Sequence, residues 1–238
     1  VLESTSNIND AHSELTVKSI EIYEKCDNKE LIFDISDNHY KAYGNITFIK
    51  IKFIFSHLFN DFNNMDYSYS ILELNNEEDK NITVLFCQKL FLKKDFKKIF
   101  SLLEPNYVNG EMPFNALKLF FNSSIELNLK DYSLEISKYA YTKYHSDPLA
   151  HEMYINSLIK NKKFDEAIKI IKISKDKFID YYNFNLLEAK LYEINKNYNE
   201  AISIYTKIMI KHPDLIDVKY NTAKLHNTLF NYNLCDSI

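Results

Sequence analysis

The sequence predicts an α+β protein, a small N-terminal antiparallel β-sheet domain followed by an all-α helical solenoid. Three observations carry this. Apolar residues recur at every second position over about residues 14–76 and at helical spacing over 81–238. The polar run Asn75-Asn-Glu-Glu-Asp-Lys80 separates the two regimes. An aromatic residue closes a short polar turn at Phe96, Tyr132, Phe164, Tyr198 and Tyr232, with gaps of 36, 32, 34 and 34 residues. A unit of about 34 residues holding two helices cannot bury its apolar faces alone, so it stacks on its neighbours and leaves a long groove.

Residues 1–13 are polar and without a period, and are expected to be a mobile lead-in. From Glu14 onward, Leu15 and Val17, then Ile20 and Ile22, are spaced by two, with a register break near Ser19. Leu31, Phe33 and Ile35 alternate with more polar neighbours and predict a second strand. From Ile46 to Phe55, Thr47, Ile49, Ile51, Phe53 and Phe55 share one face while Lys50 and Lys52 occupy the other, which predicts a long half-buried strand. Tyr67, Tyr69 and Ile71 continue the period, with Asp37-Asn38 and Asn63-Asn64 as turn signals. A sheet over residues 14–76 has two faces, so one is expected to pack on the following helices or on a partner.

Beyond the polar boundary, Val84, Cys87, Leu90 and Phe91 form one helical stripe. Phe96, Ile99, Phe100 and Leu103 form a second after the turn Lys93-Lys94-Asp95. The helix, turn, helix form recurs three times and ends in a partial fifth unit. Pro105, Pro148 and Pro213 are each expected at the end of a second helix.

Composition narrows the function classes. All 29 positive residues are lysine, and the net charge is -4. The missing arginine, with abundant Asn, Ile, Tyr and Phe, matches the codon usage of a strongly AT-rich genome. Without guanidinium forks, bidentate recognition of phosphate or guanine is unavailable, so nucleic acid is excluded as a ligand class. Only Gly44 and Gly110 are present, which excludes a P-loop and a dinucleotide fingerprint. His151-Glu152 begins like a zincin motif, but Ile155 stands where the second histidine belongs. Gly-x-Ser-x-Gly does not occur. Cys26, Cys87 and Cys235 show no metal-type spacing and are expected as structural thiols. No cofactor, metal or small-molecule substrate is expected, and no apolar run reaches the ~18 residues of a membrane span. The chain starts at Val1, which favours an exported or membrane-associated place in a bacterial envelope, with the cytoplasm as the alternative.

Two turns with their second helices read Lys163-Phe-Asp-Glu-Ala-Ile-Lys-Ile170 and Asn197-Tyr-Asn-Glu-Ala-Ile-Ser-Ile204. With Ala189, Tyr198, Ala201, Tyr205 and Pro213 in one unit and Phe164 and Ala167 in another, the segment 81–238 resembles the tetratricopeptide repeat (TPR) family, whereas the N-terminal region matches none. Two earlier units depart from the pattern, with Ile99 and Glu135 where alanine is usual. The resemblance implies that first helices line a groove. It nominates Phe120, Ser124 and Leu127, then Glu152, Asn156 and Ile159. Further along it nominates Leu186, Lys190 and Glu193, then Tyr220, Lys224 and Asn227.

The expected function is a non-enzymatic scaffold that binds a protein or peptide partner in this groove, helped by the β domain, to assemble or stabilise a complex. The runner-up is a structural protein that self-associates through its C-terminal helix or sheet edge. An enzyme would instead reveal a polar cleft between sheet and helices with His39 or His57 beside a carboxylate.

Overall fold

The computed structural model describes Lys18 and residues 28–77, 79–110 and 112–229. Among these residues every regular element is a helix. The order is α1 (Lys29–Tyr43), α2 (Thr47–Leu58), α3 (Phe62–Leu74), α4 (Lys80–Leu92), α5 (Phe96–Val108) and α6 (Phe114–Glu126). It continues with α7 (Lys130–Lys143), α8 (Pro148–Lys160), α9 (Phe164–Lys177), α10 (Asn183–Ile194), α11 (Tyr198–Lys211) and α12 (Ile216–Thr228).

The expected β domain is therefore overturned. Leu31 to Ile35 lies in α1, Thr47 to Phe55 in α2, and Tyr67 to Ile71 in α3. The Leu15–Ile22 segment falls outside the described residues, Lys18 apart. Asp37-Asn38 is inside α1, and Asn63-Asn64 forms the first turn of α3, where the Asn64 amide donates to the Asp61 carboxylate at 3.1 Å.

The reason is clearest in α2. It buries Phe48, Ile49, Lys52, Phe53, Phe55 and Ser56, a helical face that includes a lysine. Lys52 Nζ lies 2.7 Å from Asp37 Oδ2 and 4.7 Å from the centre of the Tyr67 ring. Counting that lysine as solvent-facing produces an apparent period of two; counting it inward restores the helical one. In α4, Lys89 is likewise fully buried, ion-paired with Asp66 and donating to the Phe62 carbonyl at 3.1 Å.

The helix pairs share one turn. Asn60, Lys94, Asn128, Lys162 and Lys196 adopt φ of 55, 59, 58, 58 and 61°, each 34 residues after the last. At Lys162, its amide donates to the Ile159 carbonyl at 3.0 Å and the Lys163 amide to the Leu158 carbonyl at 2.9 Å, a Schellman closure. The same two bonds recur at the other four turns. The repeat is thus strictly 34 residues, and it begins at the α2–α3 hairpin.

This register corrects details of the sequence reading. Counted from Asn128, Ser133 and not Glu135 takes the position of Ala167 and Ala201, and Ser133 is buried while Glu135 is exposed. Pro105 lies inside α5, and Pro148 opens α8 behind the Asp147 cap. Pro213 stands two residues past the end of a second helix, α11, as expected. Tyr232 is outside the described residues.

The chain divides into two compact units, Val1–Glu111 and Met112–Ile238. In the first, Ile32, Phe33, Phe48 and Phe55 form the α1–α2 core, and Tyr69 stacks on Phe86 with centroids 3.8 Å apart. In the second, one cluster joins α8, α9 and α10 through Tyr154, Ile155, Leu158, Ile171 and Phe184. Another joins α10, α11 and α12 through Ala189, Ala201, Tyr205, Val218 and Leu225. Fully buried alanines at 167, 189 and 201 allow the helices to approach closely.

Candidate partner-binding site

The groove candidates lie on α6 and its C-cap Leu127, and on α8, α10 and α12. Counted back from the left-handed turns, Leu186, Lys190 and Glu193 stand ten, six and three residues before Lys196. Glu152, Asn156 and Ile159 hold the same places before Lys162. In α12, Tyr220, Lys224 and Asn227 continue the 34-residue register. In α6 the equivalent positions are Lys118, Asn122 and Ile125, so Phe120, Ser124 and Leu127 are two residues out of register. Phe120 and Ser124 are fully buried, with the Ser124 hydroxyl donating to the Phe121 carbonyl at 2.6 Å, and Leu127 is half-buried.

The remaining candidates differ in exposure. Lys190, Tyr220, Lys224 and Asn227 are exposed, and Glu152, Asn156, Leu186 and Glu193 are half-buried. Ile159 belongs to the core cluster.

The structure joins two of these carboxylates to neighbouring helices. Glu152 accepts from the Tyr181 hydroxyl at 2.6 Å and from Asn183 Nδ2 at 3.1 Å. Glu193 accepts from the Tyr205 hydroxyl at 3.4 Å and faces Lys224 Nζ at 3.9 Å. Tyr154 likewise donates to Glu166 at 2.6 Å. Burial first, then the adjacent carboxylate, pushes the Tyr181 and Tyr205 phenols up to about 12, and Tyr154 higher still. All three are permanent hydrogen-bond donors near neutral pH, unsuited to proton transfer. Tyr181 and Asn183 were invisible to the sequence reading because they lie in and just after a connection that no repeat position marks.

Residues considered for chemistry sit in packing roles. His39 is buried, its ring stacked on Phe48 at 3.8 Å. His57 is half-exposed in the last turn of α2. Burial pushes the Cys87 thiol up to about 12, which removes its thiolate character. Cys26 and Cys235 lie outside the described residues. Among the described residues no cluster of His, Cys, Asp and Glu could hold a metal ion, and no helix is long and apolar enough to cross a membrane.

No family model and no curated sequence matches the chain. Solved structures do. Pseudomonas aeruginosa PilF has 10% identity and a TM-score of 0.62, with 91% of this chain and 99% of that one covered. A thermophilic TPR protein of Thermus thermophilus has 12% identity and a TM-score of 0.53, covering 63% of this chain and 83% of that one. YrrB, a TPR protein with an unusual peptide-binding site, has 12% identity and a TM-score of 0.50, covering 68% and 84%. The fold is the TPR fold. An alignment over 91% of the chain takes in helices before Lys80, the region expected to be a sheet.

Proposed function

We propose that this chain is a non-catalytic module that holds a protein or peptide partner on the face presented by α8, α10 and α12. One observation carries this. Glu152 and Glu193 are fixed across helices by Tyr181, Asn183 and Tyr205, while Lys190, Tyr220 and Lys224 stand exposed in the same register. Such a surface offers preorganised acceptors beside exposed cations and an aromatic ring, suited to the polar backbone and side chains of a peptide. The peptide-binding site named for YrrB supports the same use of this fold.

The test is photocrosslinking with benzoylphenylalanine at position 190 or 220, and at Lys172 on the outer side of α9 as control, in extract of the source organism. A partner captured at the first two positions alone is expected. Lys190→Glu with Lys224→Glu should abolish capture while changing stability by less than ~0.5 kcal/mol, since both side chains are exposed. Equal capture at all three positions would move the contact elsewhere.

A second reading, self-association through α12, has its own observation, because Ile216 and Tyr220 are 77% and 70% exposed. A copy of the chain as the crosslinked species would select it.

A further inference from the structure

The side of α10 turned away from Lys190 and Glu193 carries Asn185, Glu188 and Tyr192, spaced by three and four. These residues floor a cavity of about 640 Å³ between α9 and α11, within the roughly 300–1,000 Å³ usual for ligand sites. A smaller recess of about 50 Å³, lined by Ile168, Ile171 and Leu191, shares Glu188 and Tyr192 with it. The larger cavity forms a trough along α10 from Tyr182 to Tyr192, with the recess adjoining its Tyr192 end.

Its ends differ in charge. The Tyr182 and His212 rings meet at 4.7 Å, which places the start of α10 beside the end of α11. Lys211, and Lys207 one turn before it, therefore line the Tyr182 end, whereas Glu200, in the first turn of α11, lines the Tyr192 end. Midway, Lys175 and Glu188 neutralise each other at 2.5 Å. Ile204 and Ile208 supply apolar surface between the charged ends.

We propose that this trough binds an extended peptide segment with acidic side chains at one end, apolar side chains in the middle and a basic side chain at the other. The carboxylates meet Lys207 and Lys211, the apolar side chains lie over Ile204 and Ile208, and the basic group lies near Glu200. An elongated shape with opposite charges at its ends fits a chain segment better than a compact small molecule, and the charge order fixes its direction. The site is independent of the face formed by α8, α10 and α12.

The probe is the fluorescein-labelled peptide Glu-Glu-Leu-Phe-Leu-Lys, followed by anisotropy against the full chain. Replacing its two glutamates by serine should weaken binding about tenfold. Lys207→Glu with Lys211→Glu should reverse the preference, so that Lys-Lys-Leu-Phe-Leu-Lys binds more tightly than the acidic peptide. Circular dichroism should show this doubly substituted chain to be folded, since both positions are exposed. Lys190→Glu should leave binding unchanged, which separates this site from the partner face. Absence of saturable binding by the wild-type chain would overturn the proposal, as would equal binding of the acidic peptide by the doubly reversed variant. Dimerisation of the chain abolished by the same reversal would put a second copy in the trough and overturn it equally.

Discussion

His151 shows how a residue that suggests chemistry can be absorbed by packing. Its ring is buried, with Nε2 donating to the His145 carbonyl at 2.9 Å and Nδ1 lying 2.8 Å from the Ser174 hydroxyl. The rings of Tyr141 and Phe178 enclose it at 4.6 and 5.0 Å. Burial holds its pKa below the ordinary 6.5, and the nearby Lys177 ammonium acts in the same direction. Because the folded-state value is depressed, the unfolded chain takes up the proton first as the pH falls. The associated stability is complete above about pH 6.5 and declines as the pH falls from there towards the folded-state value. Urea midpoints measured from neutral to mildly acidic pH should fall on the acidic side, and His151→Gln should flatten that slope. The sequence excluded a zincin at this position because Ile155 cannot ligate a metal, but nothing local to His151 revealed its partner Ser174, 23 residues away.

The helical hairpins are set by their turns. A lysine in the left-handed region costs roughly 1–2 kcal/mol relative to a conformation with no Cβ clash, and Gly avoids that cost. Lys196, at φ 61° and exposed, is such a position. Lys196→Gly should therefore raise the melting temperature, with a gain of about 0.5–1 kcal/mol after the added flexibility of the unfolded chain is subtracted. A lower melting temperature would mean that the lysine stem contributes packing. Aromatic residues made the repeat legible at Phe96, Phe164 and Tyr198, each two residues after its turn. Tyr132 stands four after Asn128, and that slip of two carried through to Phe120 and Ser124 as groove candidates. The missing clue was backbone conformation, since Lys and Asn at φ near 60° carry no mark in the sequence. The α1–α3 region was illegible for a different reason: Lys52 is an inward cation whose carboxylate partner, Asp37, comes from another helix, so it breaks an apolar stripe that is continuous in space.

At the scale of the molecule, helical repeats pass stability only to their neighbours. Ala201 is fully buried in the cluster that joins α10, α11 and α12. Ala201→Trp should cost ~1–3 kcal/mol by overpacking, and hydrogen exchange should quicken in α10 to α12 while α1 to α4 keep their protection. Uniform loss of protection would show instead that the chain unfolds as one cooperative body. The positions of Lys190, Tyr220 and Lys224 in one register were legible in the sequence because they follow the repeat period. It missed the trough along the other side of α10, where Tyr182, Lys175 and Lys211 come from three separate segments.

The constant interval between left-handed residues also bears on how such a gene can change. Loss of the codons for residues 129–162 would join Asn128 directly to Lys163, leaving a left-handed residue at the junction with a second helix beginning after it, as before. Gain of the same stretch would be equally seamless. Recombination between any two of these turns therefore preserves the reading of the backbone, so the number of hairpins can vary by inheritance while the hairpin itself stays fixed.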